Sequence, residues 1–360
     1  MEEIFAIIMA GGRGERFWPI SRNTTPKQFS KILGNTTLLE STLARVSYIV
    51  PTENIIIMTN EIYVDKVKKI LPQFPTENII GEPCARDTAP CIALAAGIIK
   101  KRAKSANPTM VILPSDHWIK DEQSLRKDLL KAIELANKNS ALATIGIKPY
   151  ANLPDYGYIE IKENLAGETL AFSVNRFTEK PTEEKAAEFI ATGRFYWNSG
   201  MFIFPNNLIL EEFKRQAPRL YQFATSISES LDFSDLSKLI CEQYETLMKI
   251  SIDYCIMENA KKVIMLEANF DWDDIGNWKA LKNHLPLDAA GNITKGVTQL
   301  NDCNNCIILN YDSHLVATIG LSDIIVINTG DATLVCPSNQ GHKIKNLLAN
   351  FKDENLEKYL

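Results

Sequence analysis

The chain has 360 residues, 45% of them hydrophobic and 23% charged, with a net charge of −5. This is the composition of a globular protein long enough for two domains and a sizeable core. An acidic balance without a basic block argues against nucleic acid or an anionic membrane as partner.

Residues 4–9 form an apolar run that reads as a buried strand. The run is too short to span a membrane and lacks the flanks of a signal peptide. It opens into Met9-Ala10-Gly11-Gly12-Arg13-Gly14-Glu15-Arg16-Phe17-Trp18-Pro19, continuing to Pro26-Lys27-Gln28-Phe29. Glycines let main-chain N–H groups approach a ligand. Arg13, Arg16, Arg22 and Lys27 can neutralise phosphate, arginine through a planar fork and lysine as a point charge. The stretch therefore reads as a polyphosphate-binding loop, against the plainer reading of a cationic surface turn. It is not a P-loop, because Gly-x-x-x-x-Gly-Lys-Ser/Thr is absent. Phe17 stands where a dinucleotide fingerprint needs its third glycine.

Further strands are predicted over 55–58, 79–80, 110–113 and 141–147, and helices over 63–71, 88–102 and 122–139. Thr88-Ala89-Pro90 carries the N-cap and first-turn proline of its helix. Short apolar strands alternating with helices imply a parallel sheet covered on both faces, with ligands at the carboxyl ends of its strands. From 150 to 284 the pattern is mixed. Strands are predicted at 158–161, 172–177, 202–204 and 263–267, and helices at 182–191 and over 208–244, broken at Pro218. Beyond Pro286 short strands recur among Asn, Asp and Gly, suggesting a small all-β coil. The tail, 343–360, reads as a polar amphipathic helix. The expected domains are 1–286 and 287–360.

Seven scattered cysteines fit free thiols in a reducing cytoplasm better than a disulfide framework. Cys303-Asn304-Asn305-Cys306 lacks a second pair to complete a zinc site and reads as structural. Exposed strand edges of the β-rich unit could pair subunits into a homodimer.

Several polar clusters sit at strand ends or beside them. Asp116, in Leu113-Pro114-Ser115-Asp116-His117, is placed to hold Mg²⁺, which takes few protein carboxylates plus substrate phosphates; a turn or cap aspartate is the alternative. Asp271-Trp272-Asp273-Asp274-Ile275-Gly276 gathers three carboxylates that repel unless a cation or hydrogen bonds offset them. Asp274 is the choice for a second metal ligand, against a capped, solvated turn. Glu179 and Lys180 suit a sugar hydroxyl and a phosphate, or form a surface pair. Asn198, in a polar loop before the strand at 202, offers donor and acceptor together for a diol. Gly157 permits close main-chain approach. Glu82 could accept both the N1–H and the exocyclic N–H of guanine.

Together these motifs resemble the mannose-1-phosphate guanylyltransferase family, the GDP-mannose pyrophosphorylases. The matching stretches are Ala10-Gly11-Gly12-Arg13-Gly14 with Phe17-Trp18-Pro19, Pro26-Lys27-Gln28-Phe29, Glu82-Pro83 with Asp87-Thr88-Ala89-Pro90, Pro114-Ser115-Asp116-His117, Glu179-Lys180-Pro181, Trp197-Asn198-Ser199-Gly200 and Trp272-Asp273-Asp274-Ile275-Gly276. The resemblance implies a nucleotide-diphospho-sugar transferase α/β fold, Rossmann-like with a mixed sheet flanked by helices, and a small C-terminal β-helix-like domain. It implies GTP and mannose 1-phosphate as substrates, with Mg²⁺ on Asp116 and Asp274. Arg13 and Lys27 would bind the triphosphate and Lys180 the sugar phosphate. Ala10, Gly11 and Gly12 would touch the base through main chain, and Gly157, Glu179 and Asn198 the mannose. Cys84-Ala85-Arg86-Asp87 departs from the family, which usually has glycine before the arginine and asparagine after it. Longer members carry a phosphomannose isomerase barrel; this chain is too short for one, so isomerase activity is not expected. Another sugar-1-phosphate nucleotidyltransferase, or a non-catalytic GDP-mannose sensor, remains an alternative.

Overall fold

The computed structural model describes residues 3–230, 232–351 and 355–360. By contact the chain forms two compact units. One comprises Met1–Gly11, Thr42–Ser115 and Ile119–Trp272; the other comprises Gly12–Ser41, Asp116–Trp118 and Asp273–Leu360.

The elements run β1 (Ile4–Ala10), α1 (Leu38–Val46), β2 (Ile55–Asn60), α2 (Val64–Ile70), β3 (Ile79–Glu82), α3 (Thr88–Arg102), β4 (Thr109–Pro114), α4 (Glu122–Asn139) and β5 (Leu142–Ile147). They continue with β6 (Gly157–Asn164), β7 (Ala171–Glu179), α5 (Glu183–Thr192), β8 (Phe195–Pro205), α6 (Asn206–Gln216), α7 (Pro218–Glu229), α8 (Phe233–Gln243), α9 (Ile252–Cys255) and β9 (Val263–Glu267). The nine strands of the first unit form one sheet in the order β3-β2-β1-β4-β8-β5-β9-β7-β6. β1 is parallel to β2 and β4, and β2 to β3, as apolar strands joined by helices should be. The sheet is mixed beyond β4: β8 runs antiparallel to both β4 and β5, and β7 antiparallel to β9 and β6.

One expectation is corrected here. The stretch Trp197-Asn198-Ser199-Gly200 is not a loop; β8 extends through it from Phe195. Its polar side chains are tolerated because they are bonded: Ser199 Oγ donates to the Ile145 carbonyl at 2.7 Å. The region 208–244 is helical and broken at Pro218, as expected; Pro218 opens the second of three helices, where its missing N–H costs nothing.

The second unit holds β10 (Ile293–Lys295), β11 (Thr298–Asn301), β12 (Ile307–Asn310), β13 (Val316–Ile319), β14 (Ile324–Asn328), β15 (Thr333–Pro337) and α10 (Ile344–Asn350). β10, β12 and β14 stack in parallel, β11 stacks on β13, and β15 closes the row antiparallel. This is a coil of β-helix type. Asparagines join its turns: Asn328 Nδ2 donates to Asn310 Oδ1 at 2.8 Å. Cys303 and Cys306 are buried within it beside Ile308 and Val326. The tail departs from a single helix over 343–360. α10 ends at Asn350, a 3-10 turn covers Glu357–Tyr359, and 352–354 lie outside the described residues. Among the described residues no helix is long and apolar enough to cross a membrane.

In the first unit α3 lies flush on α7 because Gly97 has no side chain. A Cβ there would stand 2.5 Å from the Ala224 carbonyl oxygen and 2.9 Å from Ile227 Cβ. Gly97→Ala is expected to lower stability by about 1–3 kcal/mol despite its better helix propensity. Urea denaturation of the two proteins would check this; an unchanged or higher midpoint would contradict the packing.

Candidate active site

The second unit contains a charged cavity of about 440 Å³. Arg13, Arg16, Lys27, Asp116, Asp274 and Lys345 line it. Lys27 is buried in its wall. Its ammonium donates to Asp116 Oδ2 at 3.0 Å and to the Asp274 carbonyl at 2.6 Å. Gly14 holds Lys27 in place. Its φ is 61°, a conformation that favours glycine, and any side chain there would collide with Lys27 Cβ and main chain. Gln28 Nε2 ties the following residue back to the Gly12 carbonyl at 2.8 Å. Arg13 keeps 66% of its side-chain surface exposed and pairs only loosely with Glu15, at 3.9 Å.

Asp116 follows β4, and a short antiparallel bridge holds its segment. Trp118 N–H donates to the Asp273 carbonyl at 2.9 Å, and Asp273 N–H to the Trp118 carbonyl at 3.1 Å. That bridge sets Asp116 and Asp274 on the same cavity. Burial pushes the Asp116 carboxyl up. The charges of Lys27 and His117, the bond from Lys27 and its own amide outweigh this and hold it below the usual carboxylate range.

The three carboxylates of 271–274 avoid one another by facing different partners. Asp271, in the first unit, accepts the N–H groups of Lys120 and Asp121. Asp273 accepts the Ile275 N–H at 2.7 Å and meets His284 Nε2 at 2.7 Å. The Ile275 bond braces a β-branched residue at φ 43°, a strained conformation. Asp274 alone of the three lines the cavity, with Gly276 beside its carboxylate.

The remaining candidates lie in the first unit. Ala10 ends β1, fully buried, and its carbonyl accepts from Thr59 Oγ1 at 2.9 Å. Glu82 ends β3 and is 8% exposed. Its Oε1 accepts from the buried Tyr244 hydroxyl, and its Oε2 lies 3.6 Å from where a Cβ on Gly11 would be. Burial pushes the Glu82 carboxyl up to about 7, with Tyr244 and Cys91 offsetting part of the effect.

Gly157, Glu179 and Asn198 meet at one place. A side chain on Gly157 would overlap Glu179 Oε1 and crowd Asn198 Cβ at 3.3 Å. Asn198 Nδ2 donates to Asp253 Oδ1 at 2.7 Å, and its Oδ1 accepts from Gly200 N–H at 3.1 Å. Burial, then the charge of Glu179, pushes Asp253 up to about 7. Burial also raises Glu179, against the opposing effect of adjacent Lys180 and Asn198. Lys180 follows β7 at φ 44°. Asp87, where the family usually has asparagine, is at φ 68° and caps α3 by accepting the Thr88 N–H at 2.8 Å. With ψ at −171° this lies outside the left-handed region that Asn and Asp favour, so the conformation is strained for either residue; both can cap the helix.

Residues 5–291 match the family described as Nucleotidyl transferase, and 300–351 the MannoseP isomerase/GMP-like beta-helix domain. Over 356 residues the chain is 35% identical to mannose-1-phosphate guanylyltransferase of Escherichia coli K12, covering 97% of this chain and 74% of that protein. It is 35% identical to mannose-1-phosphate guanylyltransferase 2 of Escherichia coli O157:H7, with 99% and 75% covered. The chain belongs to the mannose-1-phosphate guanylyltransferase family. A solved structure from Thermus thermophilus, described as mannose-1-phosphate geranyltransferase, is 30% identical and superposes with a TM-score of 0.86. The match covers 97% of this chain and 99% of that one.

Tyr244, Asp253 and Lys345 carry no motif signal in this guanylyltransferase homologue; only the fold places them beside the candidates. The Glu82 carboxyl makes a testable demand on stability. Its value is about 7 in the fold against an ordinary 4.5, so the native state binds more protons across that window. Stability should therefore fall as pH rises from about 4.5 to 7. Glu82→Gln is expected to remove that slope and, above pH 7, to be more stable by about 3 kcal/mol. Denaturant titrations from pH 4 to 8 would show parallel curves for the two proteins if Glu82 were not so perturbed.

Proposed function

We propose that this chain transfers GMP from GTP to α-D-mannose 1-phosphate, forming GDP-mannose and pyrophosphate. A phosphate oxygen of the sugar phosphate attacks the α-phosphorus in line. The new P–O bond forms as the bond to the β-phosphate bridging oxygen breaks, and pyrophosphate leaves with the electron pair. The attacking oxygen is already anionic, so neither a protein nucleophile nor a general base is required. The protein's task is to hold two polyanions together and to stabilise charge on the leaving group.

The observation that carries this reading is the Lys27 ammonium held by Asp116 and the Asp274 carbonyl in a cavity with three further cations, Arg13, Arg16 and Lys345. Arg13 and Lys27 would take the triphosphate. Asp116, kept ionised, and Asp274 suit a hard divalent cation, which needs few protein carboxylates when phosphate oxygens and water complete its shell. Mg²⁺ held there would withdraw charge from the phosphates. Main chain at Ala10, Gly11 and Gly12 would approach the base, with Glu82 accepting from its edge. Glu179, braced through Asn198 and given room by Gly157, would accept from the mannose hydroxyls, and Lys180 would pair with the sugar phosphate.

Pyrophosphate release from GTP and mannose 1-phosphate, with and without Mg²⁺, tests the reading. Arg13→Ala and Asp116→Ala should each lower turnover about 10²–10³-fold with unchanged circular dichroism. Near-normal turnover in either would refute the phosphate assignment. Gly157→Ala should push Glu179 aside and raise the KM for mannose 1-phosphate several-fold, leaving that for GTP in place. A matched rise in both would count against a sugar site there.

A further inference from the structure

We propose that Tyr244 is a specificity-positioning residue, whose hydroxyl pins the Glu82 carboxylate beside Gly11 so that it meets the N1–H and exocyclic N–H of guanine. The inference rests on the reading above and adds a residue to it.

Tyr244 opens the 3-10 turn that follows α8 and is fully buried. Its ring packs edge-on against Phe223, with centroids 5.8 Å apart. Phenylalanine would satisfy that packing, so the hydroxyl needs another reason. It donates to Glu82 Oε1, a bond across 162 positions of sequence. The other oxygen, Oε2, is the one turned to Gly11, where β1 runs into the glycine turn. A carboxylate held this way has acceptor sites remaining on both oxygens. Guanine presents two donors there, N1–H and the C2 amine; adenine presents an acceptor at N1 and only a C–H at C2.

The titratable groups around the carboxylate are Tyr244, Cys91 on α3 and, beyond Tyr244, Cys84 after β3; none of them is a cation. Burial pushes the ionisation of both Cys91 and Tyr244 up, so both stay neutral at pH 7. The charge on Glu82 is therefore supported by hydrogen bonds, Tyr244 first. As pH falls through about 7 the carboxyl gains a proton and loses one of the two acceptors that the paired guanine donors need. Removing the hydroxyl removes support for the charged form and moves that crossing to higher pH.

The experiment measures kcat/KM for GTP and for ATP from pH 6 to 9, at saturating mannose 1-phosphate, in the wild type and Tyr244→Phe. In the wild type the preference for GTP should decline as pH drops below about 7. In Tyr244→Phe it should fall about tenfold at pH 7, the value of one hydrogen bond to a charged group. The loss should lie in the KM for GTP, with kcat within about twofold and the KM for mannose 1-phosphate unchanged, as a hydroxyl acting only through the base edge implies. The midpoint of the decline should move up by about 1. A folded variant with unaltered base preference and midpoint overturns the proposal, as does a loss in kcat alone. Should Tyr244→Phe fail to fold, 4-fluorophenylalanine is placed at position 244 instead, filling the hydroxyl's space without a donor. The same fall in the GTP/ATP ratio supports action through the hydroxyl, and an unaltered ratio overturns it. A wild type that releases no pyrophosphate from GTP and mannose 1-phosphate removes the underlying reading. A wild type that turns over with pH-independent base choice removes only this inference.

Discussion

The charged cavity depends on a buried cation. Lys27 is 4% exposed, and a charge withdrawn from water must be offset locally or the site will not form. Here a carboxylate and a main-chain carbonyl do so, at 3.0 and 2.6 Å. Their residues lie 89 and 247 positions away in sequence. No local propensity can bring such segments together; the antiparallel bridge at Trp118 and Asp273 and the glycine turn at Gly14 do it. The same contact depresses the Asp116 carboxyl, so one pairing fixes geometry and protonation at once. Charge placed before a ligand arrives needs no reorganisation later.

The opening loop of the second unit has two faces. Arg13, Arg16 and Lys27 line the cavity, while Phe17 and Trp18 enter the apolar core of the β-coil. Phe17 packs on Trp278 with centroids 4.8 Å apart, and Trp18 meets Phe351 edge-on at 5.5 Å. Trp18 Nε1 and Arg22 both donate to the Tyr359 carbonyl, and Arg22 also pairs with Asp331. Gly12–Ser41 is thereby packed with Asp273–Leu360, although most of the chain lies between them in sequence. The two matched families instead meet between residues 291 and 300. Family boundaries follow chain continuity, whereas compact units follow burial, and an aromatic pair early in the chain is enough to separate the two.

How much was legible follows from the range of each signal. β1, α4 and β9 stand where periodicity places them, and α3 starts one residue early, with Asp87 rather than Thr88 as its N-cap, because those signals act within a few residues. The charged loop, Asp116 and Asp274 are marked by local composition at strand ends. β8 is misread at its start because Asn198 and Ser199 look like loop residues. Only the fold supplies their partners, the Asp253 carboxylate and the Ile145 carbonyl. Tyr244 after a helix, Asp253 in a one-turn helix and Lys345 in the tail have no spacing to betray them; their significance arises from contacts made across the chain. The triple aspartate shows the converse. Composition marks the repulsion, and three separate sets of neighbours show how it is relieved.

The two units handle negative charge in opposite ways. In the second, cations depress a carboxylate that shares their cavity. In the first, Glu82 and Asp253 are pushed up to about 7 by burial, and Glu179 is raised as well. Depressed carboxylates suit cations and polyphosphate chemistry, where charge must persist across the working pH. Raised ones suit uncharged partners that donate hydrogen bonds, such as hydroxyls and base N–H groups. A donor arriving at a buried carboxylate favours its ionised form. By linkage, a donor that bound at Glu82 or Asp253 would drive proton release near neutrality, whereas a cation that bound at Asp116 would not. The separation of the two kinds of carboxylate follows from which unit supplies the neighbours. A lysine and a histidine face Asp116, while Asp253 meets a carboxamide and another acid.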